Sequence, residues 1–191
     1  IGGKPMKLRH LAGPLLLLIS SVAMGVEADL NVSNDAARLT MEFPVRNNIL
    51  IDGSWLHHTD KGETLSVGGY LTGNAAGGNT PLTAGLGLRY YYVDFDTGQK
   101  EDGSNLALGG FARYQFRRID RVAVWGNLFY APSVLSFGDS DEFYEVGGYG
   151  GYSVIRDAEI YLGWRRMKSD FDEDGDVMID TGWVVGIRAR F

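Results

Sequence analysis

Three sets of residues in this chain carry side chains able to do chemistry. Ser54 with His58 and Glu42 supplies a hydroxyl, an imidazole and a carboxylate, the set a lipid-A hydrolase would use. Asp170-Phe171-Asp172-Glu173-Asp174-Gly175-Asp176 places Asp at positions one, three and five and Gly at six, like the first half of a calcium loop. The third set has charges of both signs: Arg38, Glu42, Asp52, Arg89, Arg113, Glu145, Glu159, Arg165, Asp180, Arg188 and Arg190. Each of these charges stands in a stretch of apolar or small residues.

The first two sets are weaker than they look. Ser54 and His58 lie four residues apart, two steps of about 6.6 Å along an extended chain, too far for a direct hydrogen bond. No nucleophile signature flanks Ser54, so a lipid-A-modifying enzyme is the rival reading and not the leading one. In the acidic stretch, position twelve falls on Thr181 where a calcium loop needs Glu. A solvated acidic loop is the default there, with weak divalent binding at Asp170, Asp172 and Asp174 as the sharper alternative. No cofactor is expected. Pairs such as Gly109-Gly110 and Gly147-Gly148 read as close-packing sites, because no helix follows to make a phosphate cradle.

What the third set does depends on the elements that hold it. From Ile179 to Phe191 the chain alternates: Ile179, Trp183, Val185, Ile187, Ala189 and Phe191 on one face, Asp180, Gly182, Val184, Gly186, Arg188 and Arg190 on the other. Period two specifies a strand with one apolar face. The pattern recurs in Ala158–Arg165, Tyr144–Val154, Arg121–Tyr130, Asn105–Phe116, Leu82–Tyr92, Thr64–Leu71 and Ile49–Leu56. That makes eight strands of about ten residues, the length a tilted membrane strand needs. Ala37, Leu39, Met41 and Phe43, with Leu30 and Val32 before Asn34-Asp35, add a short first hairpin. The fold class is therefore all-β, an antiparallel transmembrane β-barrel of ten strands. The alternative is eight, with the first hairpin tucked inside or loosely paired.

The connections support this. Residues 169–176, 131–141 and 94–103 read as long loops, while Ile155-Arg156 and Arg117–Asp120 read as tight turns, the long-outside, short-periplasmic rhythm of outer-membrane barrels. The links at 73–81 and 58–62 break the rhythm. With both mature termini periplasmic, Trp55, Tyr90, Tyr92, Tyr130, Tyr144 and Trp164 fall toward the outer surface, and Phe43, Phe116, Tyr152 and Phe191 toward the periplasm. Amphipathic rings gather at such levels, where headgroups meet hydrocarbon.

Ahead of the barrel, Lys7 and Arg9 precede a 12-residue, mostly apolar run, Leu11 to Val22, then small residues. The run is shorter than the ~20 residues of a spanning helix and fits a secretory signal. The division is 1–28, upstream extension and signal peptide, and 29–191, the barrel, with a signal helix if the chain is unprocessed. Val26-Glu27-Ala28 is the first cleavage candidate and Ala23-Met24-Gly25 the second. Removal of 1–28 takes away Lys4, Lys7, Arg9 and Glu27, which moves the formal net charge from −6 to −8. An acidic chain with no basic stripe is not built for nucleic acid. Absence of cysteine excludes disulfides and thiolate metal sites.

Inside a narrow barrel the mixed charges must pair, since isolated buried charge is costly. A salt-bridged lumen filled by side chains is the leading expectation and a gated ion path the alternative.

The signal segment, the short first hairpin, Tyr130-Ala131-Pro132-Ser133-Val134-Leu135-Ser136 and the close Val185-Gly186-Ile187-Arg188-Ala189-Arg190-Phe191 resemble the YfaZ family of outer-membrane proteins. The resemblance implies a location and a fold but no catalytic residues. The final strand also resembles the signal read by the barrel-assembly machinery, carried by Gly186, Ala189 and Phe191. It departs from that signal at Ala189, where a larger apolar residue is usual, and at Val184, where a polar one is usual. The partners implied are outer-membrane lipid, lipopolysaccharide and the assembly machinery. The role expected is that of a non-enzymatic surface or narrow-pore, porin-like barrel.

Overall fold

The computed structural model describes residues 25–74, 81–97, 99–138, 140–171 and 175–191. Residues 1–24 of the signal segment, Asp172 and Asp174 lie outside the described residues. Eleven strands follow in order: β1 (Glu27–Val32), β2 (Ala36–Arg46), β3 (Ile49–His58), β4 (Gly62–Asn74), β5 (Leu82–Thr97), β6 (Gln99–Gln115), β7 (Val122–Ala131), β8 (Ser136–Gly138), β9 (Ser140–Ile155), β10 (Ala158–Phe171) and β11 (Gly175–Arg190).

Each long strand pairs antiparallel with the next in the ring, β1 pairs with β11, and β5 pairs with β6. The ring is thereby closed by ten strands. The three-residue β8 stands outside the count; it covers β6 at 103–105, beyond the last β6 residue that β7 reaches. Closure is what allows a sheet to sit in hydrocarbon, because it pairs the two strands that would otherwise be open edges.

The alternation in the sequence becomes a division between lipid and lumen. Val185, Ile187, Leu162, Leu86, Leu108, Leu128 and Val67 are exposed outward. Their chain neighbours Val184, Tyr161, Ala107 and Phe129 are buried inward, at most 5% exposed. Outward aromatics form one level where Trp164 faces Trp183 and Tyr130 faces Tyr144 across paired strands.

Two details differ from the simple alternation. Period two puts Ile179 on the outer face with Val185, yet Ile179 and Asp180 are both buried, at 2% and 3%. Met167 pairs with Asp180 while Lys168 pairs with Met178, so Ile179 is the extra residue of a β-bulge. A bulge turns two successive side chains to one face, and no local pattern marks it. The stretches 94–103 and 169–176, which read as loops from their polarity, are largely strand: β5 and β6 pair out to Thr97 and Gln99, and β10 and β11 to Phe171 and Gly175. Polar residues pair there because the strands have run past the apolar band into water, where both faces tolerate charge.

The β1–β2 hairpin is the short one. β1 ends at Val32 opposite Val185, and β11 continues beyond it. The Lys61 ammonium, in the β3–β4 turn, reaches past that hairpin to donate to the Met178 carbonyl at 2.6 Å.

One end of the barrel, the terminal end, carries both described chain ends; the opposite one is the far end. At the terminal end the Gly25 N–H donates to the Phe191 carbonyl and the Phe191 N–H to the Val26 carbonyl, both at 2.8 Å. The described structure thus begins β1 at Glu27, upstream of the 28/29 division.

Candidate functional site

The lumen is divided into two halves. Toward the far end, Leu56, Tyr91, Val93, Phe143, Met167 and Ile179 pack into one cluster, each at most 2% exposed. Tyr91 and Phe143 rings stand 4.3 Å apart. Inward positions on β3, β5, β9, β10 and β11 supply these side chains, so the cluster draws on strands from around the ring and fills the lumen there.

Toward the terminal end a cavity of about 800 Å³ remains. Its walls include Gly25, Pro44, Pro81, Asp120, Arg156 and Asp157, residues at the ends of strands and in their turns, so it opens there as a vestibule. Arg38, Asp52, Arg89, Glu145 and Phe129 line its depth. The expectation of a lumen filled throughout is therefore met only in the far half.

At the boundary between the halves, Glu145 gathers most of the hydrogen bonds. Its carboxylate accepts from Arg38 Nη1 at 2.7 Å, Tyr91 Oη at 2.6 Å and Asn127 Nδ2 at 3.1 Å. Arg89 Nη1 lies 3.7 Å away. Arg89 also pairs with Asp52, whose Oδ2 accepts from Tyr70 Oη at 3.1 Å. These groups are 8% exposed or less, so their charges are matched within the protein and not by water. A buried charge left alone here would cost several kcal/mol.

A second network runs along β1, β10 and β11. Arg165, fully buried, pairs with Asp180 and donates to Asn31 Oδ1 at 2.8 Å. Asp29 accepts from Tyr161 Oη at 2.6 Å and from Arg188 Nε at 3.1 Å. Arg113 grips both oxygens of Glu159, at 2.9 and 2.8 Å. Arg113 and Arg188 also cap the Trp125 ring, at 4.6 and 4.8 Å from its centre. Arg190 differs from the other basic residues named for the lumen. It sits exposed at the rim, paired with Glu27 at 2.7 Å. Glu42 lines the vestibule half-buried, and no hydrogen bond or ion pair reaches it among the described residues.

Sequence reading missed several members of these networks. Asp29, Asn31, Tyr91, Asn127 and Tyr161 act as partners of the charged residues. Their signal was present: each is polar on the inward phase of its strand.

The closing strand places its three assembly-signal residues differently. Tyr161, opposite Gly186 on β10, lies over it so closely that a side chain on Gly186 would meet the phenol ring. Tyr149 covers Gly163 in the same way. Ala189 pairs with Ala28 and Ala158. Phe191 is 67% exposed.

The hydrolase set does not assemble. Ser54 Oγ shares a hydrogen bond with Ser66 Oγ at 2.7 Å and accepts from Arg38 Nε at 3.3 Å. His58 Nδ1 instead accepts the Asp60 N–H at 3.2 Å. Asp170 lies in β10, opposite Asp176. Among the described residues no group of three His, Cys, Asp or Glu could hold a metal ion.

A closed, ten-stranded antiparallel ring with an apolar outer band and a charged lumen defines an integral β-barrel of the outer-membrane class. The chain belongs to the YfaZ family: the family profile described as "YfaZ precursor" matches residues 6–191. No curated protein matches it. Among solved structures it is similar to the outer membrane protease OmpT from Escherichia coli, at 10% identity and a TM-score of 0.51, over 87% of this chain and 93% of that one. It is also similar to the outer membrane channel DcaP of Acinetobacter baumannii, at 9% identity and a TM-score of 0.46, over 85% of this chain. The chain spans about half of DcaP, 54% of its length. At these identities the likeness is one of fold alone.

Proposed function

We propose that this protein is a non-enzymatic, non-conducting barrel of the outer membrane, whose lumen is a vestibule open to the periplasm and sealed toward the cell surface. The observation that carries this reading is the far-half cluster of Leu56, Tyr91, Val93, Phe143, Met167 and Ile179, which fills the lumen there, while the polar Asn105, Ser140 and Ser169 beside it are buried and hydrogen-bonded to one another. Orientation follows from the terminal end facing the periplasm, so that the longer β5–β6 and β10–β11 hairpins stand at the surface beside lipopolysaccharide. The exposed Phe191 at the end of β11 suits a closing strand read by the barrel-assembly machinery. Acidic residues near Asp170 at the outer hairpin would meet divalent cations of the lipopolysaccharide layer only weakly.

The lipid-A-modifying alternative lacks support from Ser54 and His58, each held by other partners. Liposome swelling tests the proposal. Vesicles carrying the folded barrel are expected to exclude small sugars as empty vesicles do; rapid swelling would overturn it. Comparison of lipid A from cells with and without the protein separates the enzymatic alternative, because only an enzyme changes its mass.

A further inference from the structure

We infer that the outward face of β10 holds one phosphorylated glycolipid of the outer leaflet, with the Arg166 guanidinium on its phosphate. The inference rests on the reading that the far end faces the cell surface.

Outward positions of β10 run Ile160, Leu162, Trp164, Arg166 and Lys168, the first three exposed on the apolar band. Trp164 stands beside Trp183 of β11. Such rings settle where hydrocarbon meets headgroups, so they mark the height of that boundary. Arg166 lies one two-residue step farther, about 6.6 Å along a strand and less in height because barrel strands tilt. That is the depth of headgroup phosphates. Toward the far end, Arg166 and Lys168 are the only bases on the outward face of a strand among the residues whose side chains are described. Outward positions beyond the apolar band on β4, β5 and β9 are instead the acids Glu63, Asp94 and Glu142. The positive charge is therefore local to β10 and does not form a ring around the barrel.

Arg166 is half-buried, and no hydrogen bond or ion pair reaches it among the described residues. Its guanidinium lies over the Tyr144 ring, 5.8 Å from the centre. Nε is covered and has no hydrogen-bond partner, which leaves the two terminal nitrogens to meet an anion. The lumen-facing guanidinium groups of Arg38, Arg89, Arg113, Arg165 and Arg188 are by contrast all paired within the protein. Beside hydrocarbon a guanidinium needs a counter-charge, and a phosphate gives it two parallel charge-assisted hydrogen bonds. Thr181, the exposed register partner of Arg166, adds a hydroxyl, and Trp183, 68% exposed, offers a flat apolar surface to a sugar ring. A glycolipid uses all three groups; a glycerophospholipid has no sugar ring to lay on Trp183. One step beyond Lys168, Asp170 and Glu142 stand opposite each other on β10 and β9. A divalent cation bridging these acids to a phosphate is the rival arrangement, and it is separable because chelation removes it.

Native mass spectrometry of the full barrel released from detergent micelles tests this. The probes are bisphosphorylated lipid A, the same glycolipid with both phosphates removed, and phosphatidylglycerol, each added separately with EDTA present. One lipid A is expected to stay on the wild-type barrel, phosphatidylglycerol about tenfold less, and the dephosphorylated glycolipid not at all. Arg166→Gln is expected to lower lipid A retention by about tenfold, and Arg166→Lys by less, because an ammonium keeps the charge without the fork. The three-probe comparison needs only the wild-type chain, so it decides the matter even if a variant folds poorly. No retained lipid A, equal retention of phosphatidylglycerol or of the dephosphorylated glycolipid, retention only with added magnesium, or a folded Arg166→Gln variant that binds as the wild type does would each overturn the inference. Orientation is read separately: an Asp60→Cys variant labelled in whole cells by a membrane-impermeant maleimide shows that the far end is outside, so a failure of lipid binding is distinct from a failure of that reading.

Discussion

Arg38 and Glu145, 107 positions apart in the sequence, meet across the lumen at 2.7 Å with 6% and 1% of their side chains exposed. The contact ties β2 to β9, which are not neighbours in the ring. Because Glu145 also faces Arg89 at 3.7 Å, its removal strands the buried Arg38 guanidinium and leaves Arg89 with Asp52 alone. Glu145→Leu is expected to destabilise the folded barrel by about 3–5 kcal/mol. The double variant Arg38→Met/Glu145→Leu is expected to recover part of that loss, since the stranded charge is gone. Urea unfolding in micelles, followed by tryptophan fluorescence, measures both. A double variant no more stable than Glu145→Leu would show that the pair is not the source of the cost.

Val184 and Val185 are chain neighbours with opposite surroundings, 1% and 57% exposed. Val185→Arg puts a charge on the lipid face and is expected to cost roughly 2–4 kcal/mol. Val184→Thr keeps the shape on the lumen side and is expected to cost less, about 1–2 kcal/mol for a hydroxyl brought into the interior. The folded fraction on unheated gels compares them. Equal losses would contradict the assignment of faces.

The closeness of Tyr161 to Gly186 makes a specific demand on the closing strand. Gly186→Ala is expected to force the phenol off Asp29 and Asn31, costing about 1–3 kcal/mol through overpacking and lost hydrogen bonds. Gly186→Ala combined with Tyr161→Phe is expected to regain little, since the ring and not the hydroxyl occupies the space. Tyr161→Ala is the change expected to make Gly186→Ala tolerable. Thermal unfolding in micelles distinguishes these cases, and a fully stable Gly186→Ala single variant would refute the contact.

Glu27 pairs with Arg188 and Arg190 and opens β1, while Val26 bonds to Phe191. A cut before Asp29 would remove these contacts and leave β1 with four residues. The mature chain is therefore expected to begin upstream of Glu27, at or before the cut after Gly25. Intact mass of the outer-membrane protein measures it. A mature chain starting at Asp29 would contradict this and leave Arg190 without its partner.

How much of this is legible in the sequence varies by residue. Strand number and lumen phase follow from period two, because lipid and lumen impose opposite preferences on successive residues; Val184 and Val185 show it. The Ile179 bulge is not legible, since an apolar residue suits either face. The polar ends of β5 and β10 look like loops because a strand in water has no apolar face to announce it. Charge pairing is expected inside the lumen, but partner choice is not: nothing local tells Arg38 to choose Glu145. Those choices depend on how the ring staggers its strands. The vestibule escapes sequence reading for a related reason, because volume inside a barrel depends on which way long side chains lean.

The seal is the central claim, and planar-bilayer recording of the purified barrel tests it most directly. The wild-type protein is expected to give no steady openings at neutral pH, while a Phe143→Ala/Met167→Ala variant, with the far-half cluster hollowed out, is expected to open a measurable conductance. Reproducible wild-type openings that change when Arg38 or Arg89 is replaced would show a continuous ion path through the lumen and contradict the sealed barrel.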